Sequence, residues 1–99
     1  MSKVLFTVQY EVLSDKRSEY ITAIKELKSL ISAEGLESYS VFEVKGKANT
    51  FEEVYVFASQ EVYENFDDAE DERINVLISK IESLKAHSST KYLTLLELE

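Results

Sequence analysis

Cysteine and tryptophan are both absent, and histidine occurs once, as His87. Without cysteine there is neither a disulfide framework nor a thiolate to act as nucleophile or metal ligand. A single histidine in a cysteine-free chain leaves too few ligands for a zinc centre of the usual type. No metal and no cofactor are expected. Basic residues are in the minority, with 11 Lys and Arg against 19 Asp and Glu and a formal net charge of −8. That balance argues against nucleic acid and anionic membrane surfaces as partners, because both need basic patches. No run approaches the roughly 20 apolar residues of a membrane span. The opening MSKVLF has no apolar h-region and no cleavage site, so a cytoplasmic protein is expected.

What the sequence does have is an apolar first strand. Val4–Leu13 reads VLFTVQYEVL. Strand side chains alternate between faces with a period of two. Val4, Phe6, Val8, Tyr10 and Val12 therefore share one fully apolar face, which packs on a core. Leu5, Thr7, Gln9, Glu11 and Leu13 share the other, which is mixed and more apolar than a solvated face requires. At 99 residues with 44% hydrophobic content, the chain is one domain with a feasible core.

Ser14 and Asp15 are candidate caps for the next segment. Lys16–Ala33 places Tyr20, Ile24, Leu27 and Ile31 at helical spacing, with Ile21 and Leu30 widening the stripe. Glu34-Gly35 ends that helix. Leu36–Lys45 alternates as a less buried strand, 46–50 supplies turn residues, and Phe51–Ala58 is apolar on both faces. Here Val54, Val56 and Ala58 oppose Glu53, Tyr55 and Phe57. Ser59 can cap a helical region from about Gln60 to Ala86, broken near Asp67. Its first piece carries Val62 and Phe66; its second carries Ile74, Leu77, Ile78, Ile81 and Leu84. Asp67 with Glu70 resembles a capping box. After the loop 87–90, Lys91–Leu98 is the last strand.

The order β-α-β-β-α-β gives a ferredoxin-like α+β plait: a four-stranded antiparallel sheet, strands one and three central, two helices on one face. The remaining face is expected to carry Leu5, Leu13, Tyr55 and Phe57 and to be too apolar for free solvent. A second copy packing sheet against sheet covers it most simply.

The chain resembles a known superfamily at VLFTVQYEVL, at the helix start SDKRSEYITAI, and at EEVYVFASQEVYENFDD, where a strand runs through Ser59 into an aromatic-bearing helix. It looks like the dimeric α/β-barrel superfamily, and most like its antibiotic-biosynthesis-monooxygenase-type domains. The resemblance covers nearly the whole chain. It implies a single domain over residues 1–99, a homodimer whose two sheets form an α/β barrel, and a ligand cavity between sheet and helices in each subunit. Members include cofactor-independent oxygenases, haem-degrading enzymes, isomerases, decarboxylase-like enzymes and many proteins with no known activity. The haem-degrading members use a first-strand Asn with a Trp and a His from the second half. Here the first strand holds Val and aromatics, tryptophan is missing, and His87 lies past the second helix. Haem degradation is therefore not expected, and the polar and Trp set of the quinone-forming oxygenases is also incomplete.

The candidate site residues follow from the side-chain inventory. His87 is the side chain that titrates near neutrality and can act as a general base, although a solvated loop histidine is the plainer reading. Of six tyrosines, Tyr10, Tyr39 and Tyr63 can turn hydroxyls into a cavity to orient a ligand, with Phe66 as an apolar wall. Strand tyrosines are more often packing groups with a wet tip. Asp67, Asp68, Glu70, Asp71 and Glu72 lack the glycine and spacing of a calcium loop and read as a charge-rich helix start. Thr7 and Gln9 read as interface hydrogen-bonders. The expected function is a homodimer binding a small, mostly apolar molecule. The alternative is a cofactor-independent monooxygenase or isomerase using Tyr10 and His87.

Overall fold

The computed structural model describes residues 2–66, 71–86 and 90–98. The strands are β1 (Val4–Glu11), β2 (Leu36–Glu43), β3 (Thr50–Phe57) and β4 (Lys91–Leu96); the helices are α1 (Arg17–Leu30), α2 (Gln60–Asn65) and α3 (Glu72–Leu84). The sheet order is β2-β3-β1-β4, antiparallel throughout. The plait expected from the element order is therefore present, with β1 and β3 in the centre. α1 packs on α3, and α2 packs on β3.

Sequence dictates these elements locally. In α1, Tyr20, Ala23, Ile24 and Leu27 are buried, and in α3 Ile74, Leu77, Ile81 and Leu84 are. Both sets recur at three- and four-residue spacing, which is one face of a helix. The Ser59 side chain accepts from the Val62 N–H at 3.2 Å and caps α2 as expected. At α3 the cap is Asp71, whose Oδ1 accepts from the Arg73 N–H at 2.9 Å. The capping box expected at Asp67 and Glu70 lies outside the described residues. Ser14 and Asp15 do not cap α1; they form a 3-10 turn over Ser14–Lys16, and α1 starts without a side-chain cap.

Gly35 is needed where it stands. Its φ is +86°, and a Cβ there would lie 2.6 Å from a Val62 methyl. Its carbonyl accepts from the Ala58 N–H at 2.8 Å. The bend thus locks the start of β2 against α2 and the end of β3.

The register of β3 corrects one expectation. Val4 pairs with Phe57, Phe6 with Tyr55, Val8 with Glu53 and Tyr10 with Phe51. Directly paired residues share a face. Tyr55 and Phe57 therefore point at the helices and are buried, at 6% and 1% exposure. Val54 and Val56 take the open face instead, paired with Thr7 and Leu5. Both faces of β3 are apolar, so alternation alone did not distinguish them. The open face also carries Phe42, Leu93 and Leu95, exposed at 57%, 55% and 45%. It remains apolar, but with aliphatic side chains and Phe42 rather than with Tyr55 and Phe57.

Candidate functional site

Between the helix face of the sheet and α2 lies a cleft of about 360 Å³ lined by Phe6, Tyr55, Phe57, Tyr63, Glu64 and Phe66. Its volume is at the lower end of small-molecule sites, roughly 300–1,000 Å³. Phe6 and Tyr55 come from the paired central strands, and Phe57 lies one alternation further along β3. Tyr63 is on α2, and Phe66 follows where α2 ends in extended backbone. That turn out of the helix puts the Phe66 ring 5.1 Å from Phe57 and 5.8 Å from Tyr55. Tyr63 lies 5.5 Å from Phe57 and 5.9 Å from Phe6. These are edge and tilted contacts of the kind aromatic quadrupoles favour. The Tyr63 hydroxyl is bonded to Thr94 Oγ1 at 3.1 Å, and Tyr92 stacks on Phe6, which ties β4 to the cleft wall.

One register step from the cleft floor, the sheet buries a carboxylate. Glu53 is 8% exposed and sits on the helix face beside Val8 and Val41. The Tyr39 hydroxyl donates to its Oε1 at 2.7 Å. The Tyr10 hydroxyl shares a 2.7 Å bond with the Tyr20 hydroxyl, and the Glu53 charge acts on both. Among the described residues no ion pair reaches Glu53. The Tyr39 phenol supplies compensation that a cation would otherwise give, in a charge-assisted bond. Burial, reinforced by the Glu53 charge, pushes the Tyr10 and Tyr39 hydroxyls far above the ordinary tyrosine range. Tyr20 is raised too, chiefly by burial, with its bond to Tyr10 acting the other way. All three stay protonated in the folded chain: Tyr39 donates to Glu53, and one of Tyr10 and Tyr20 donates to the other.

At the far end of this cluster the Lys85 ammonium lies 4.3 Å from the Tyr10 ring centroid and donates to Glu82 at 2.8 Å and to Thr90 at 3.1 Å. It binds the ring face rather than the hydroxyl, so it holds Tyr10 in place.

The structure separates the expected site residues. Tyr63 and Phe66 line the cleft. Tyr10 and Tyr39 lie deeper, their hydroxyls turned into the Glu53 network. His87 lies outside the described residues, as do Asp67, Asp68 and Glu70. Among the described residues no group of three potential ligands could hold a metal ion. Gln9 lies on the open face and donates to Glu52 at 2.8 Å, while the Thr7 hydroxyl reaches the Leu93 carbonyl at 3.5 Å. Sequence reasoning missed Phe6, Tyr55 and Phe57 as cleft walls, and Glu53 altogether. The available signal for Glu53 was its parity: it alternates in step with Phe51, Tyr55 and Phe57.

No protein-family model matches the chain, and no curated protein matches it at the sequence level. Its fold is nevertheless shared with many solved structures. A candidate antibiotic-biosynthesis monooxygenase from Caulobacter crescentus superposes with a TM-score of 0.81 at 13% identity, over 99% of this chain and 92% of that one. SnoaB from Streptomyces nogalater, a cofactor-independent oxygenase, gives 0.72 at 10% identity, over 94% and 90%. A conserved protein of unknown function from Bacteroides thetaiotaomicron gives 0.75 at 21% identity, over 96% and 97%. The chain thus has the ferredoxin-like α+β fold of the antibiotic-biosynthesis-monooxygenase-type domains, as the sequence pattern suggested.

Proposed function

We propose that this protein is a homodimer in which each subunit holds a small, mostly apolar ligand in the cleft between sheet and helices. The observation that carries the reading is the convergence of Phe6, Tyr55, Phe57, Tyr63 and Phe66 on one cleft. Aromatic rings hold such a wall at low cost in side-chain entropy. Dimerisation is part of the reading because Leu5, Val54, Val56, Leu93 and Leu95 form an apolar patch on the opposite face of the sheet. Sheet-on-sheet packing buries such a patch without touching the cleft. No helix among the described residues is long and apolar enough to cross a membrane, and a cytoplasmic setting suits a chain without cysteine.

The test is an NMR titration with naphthalene as probe. Shifts confined to Phe6, Tyr55, Phe57, Tyr63 and Phe66 support the proposal. Saturating naphthalene without such shifts contradicts it.

A second reading, favoured by the buried Glu53–Tyr39 pair, is catalysis of the cofactor-independent monooxygenase or isomerase type. SnoaB, of like fold, is such an oxygenase. In that reading Glu53 is the base that takes a proton from a bound substrate, with Tyr39 as its donor partner in the resting state. Substrate-dependent oxygen uptake abolished by Glu53→Gln, with ligand affinity retained, supports this reading; unchanged uptake rejects it.

A further inference from the structure

We infer that the aromatic cleft selects an organic cation: a quaternary or protonated amine carried on a hydrocarbon or aryl frame. The inference rests on the reading of the cleft as a ligand site and names the charge of what it takes. Ring faces carry negative electrostatic potential, and five rings line the cleft, Phe6, Tyr63 and Phe66 part-exposed over a buried floor of Tyr55 and Phe57. Among the described residues the one charged side chain in its lining is Glu64, an exposed residue of α2 whose Oε2 accepts from the Gln60 amide at 3.4 Å. A neighbouring depression of about 610 Å³ shares Phe66 and adds Glu34 and Glu61. Among the described residues neither lining contains a lysine or an arginine.

Three of the basic groups are engaged elsewhere. Lys3 pairs with Glu37 at 2.8 Å, Arg17 with Glu43 at 2.6 Å and Lys85 with Glu82 at 2.8 Å. Behind the cleft floor, Glu53 occupies the same face of β3 two residues from Tyr55. An anionic ligand would face Glu64 and then Glu53, with no donor of positive charge among the described residues of the wall. A cation meets an aromatic wall, Glu64 in the lining and the field of a chain with a net charge of −8. A neutral apolar ligand gains the same contact area without the electrostatic share, so charge is the property that separates the two.

The deciding experiment compares benzyltrimethylammonium with neopentylbenzene, which has the same shape and a neutral carbon in place of nitrogen. Both are titrated into the full chain at low salt and followed by NMR. The expected result is about fivefold tighter binding of the cation or more, with shifts at the cleft rings. Glu64→Gln should remove part of that advantage while leaving neopentylbenzene binding unchanged, and Glu64 is exposed enough that the variant keeps its fold. Equal or tighter binding of neopentylbenzene overturns the cation inference and leaves the cleft as a ligand site. So does tighter cation binding whose shifts fall outside the cleft, because surface carboxylates then account for it. Failure of both probes to bind overturns this inference together with the reading on which it rests.

Discussion

The Tyr39 hydroxyl and the Glu53 carboxylate meet at 2.7 Å in the interior, between the sheet and its helices. Each makes the other tolerable there. Tyr39→Phe removes the donor and leaves Oε1 short of a partner, at a cost of about 1.5–3 kcal/mol for a bond to a charged group. Urea denaturation measures it. The double variant Tyr39→Phe with Glu53→Leu should be more stable than Tyr39→Phe alone, because no buried charge is then left short of a donor. A double variant weaker than the single would mean that the pair does not act as a unit.

The same network sets a high-pH limit. The Tyr10, Tyr20 and Tyr39 hydroxyls are raised above their ordinary value of 10.0 in the folded chain. A group raised by folding stabilises fully below its unfolded pKa and loses that contribution as pH rises beyond it. Stability should therefore hold up to about pH 10 and fall steeply above. In a spectrophotometric titration these three phenols should ionise only with unfolding, as a cooperative step in absorbance coincident with loss of circular dichroism.

Acid acts through a different pair. Arg17 hydrogen-bonds Glu43 through both terminal nitrogens, at 2.6 and 2.8 Å, and the Asn49 N–H adds a third bond. Together they bring the Glu43 carboxyl down to about 2. A lowered group stabilises above its unfolded pKa, 4.5 here, and loses that contribution as pH falls toward 2. Arg17→Ala should flatten the acid limb of the stability curve between those two values. The pair is exposed, so the effect should shrink in high salt.

The register of β3 turns into a prediction that separates two faces. Leu5→Glu or Leu95→Glu places charge on the open face, where the second copy is proposed to sit. Light scattering should then report a folded monomer or a dimer constant weakened at least about tenfold. Phe57→Glu should behave differently. Phe57 is 1% exposed between sheet and helices, so a charge there should prevent folding rather than dissociate a folded pair.

Gly35 should resist substitution. Its φ of +86° disfavours any residue with a Cβ, and the new atom would lie 2.6 Å from Val62. Gly35→Ala should cost about 1–3 kcal/mol by thermal or urea denaturation. Adding Val62→Ala relieves the contact but not the backbone strain, so the recovery should be partial.

How much of this was legible in the chain follows from where its patterns are one-sided. β1 alternates between an apolar and a mixed set, so its inward face could be read directly, and Val4, Val8, Tyr10 and Val12 are buried as expected. α1 and α3 have one apolar stripe each, and its centre is what they bury, with Ala23 of α1 added and Ile21, Leu30 and Ile78 left half-buried at its margins. β3 is apolar on both faces, and only its pairing with β1 decides that Tyr55 and Phe57 face the helices. A one-residue difference in reading exchanges the two faces. Glu53 was hidden by the same ambiguity: a charge in a strand reads as solvent-facing until Tyr39 and Tyr10, distant in sequence, are brought to it. The cleft depends further on where α2 stops, which sets the direction of the Phe66 ring.

Native mass spectrometry of protein purified without added ligand tests the central proposal most directly, because it weighs the assembly and whatever it carries. The account predicts a dimer with a reproducible small-molecule adduct that is lost in a folded Phe66→Asp variant. A monomer, or a dimer that carries the same adduct with and without Phe66, would contradict it.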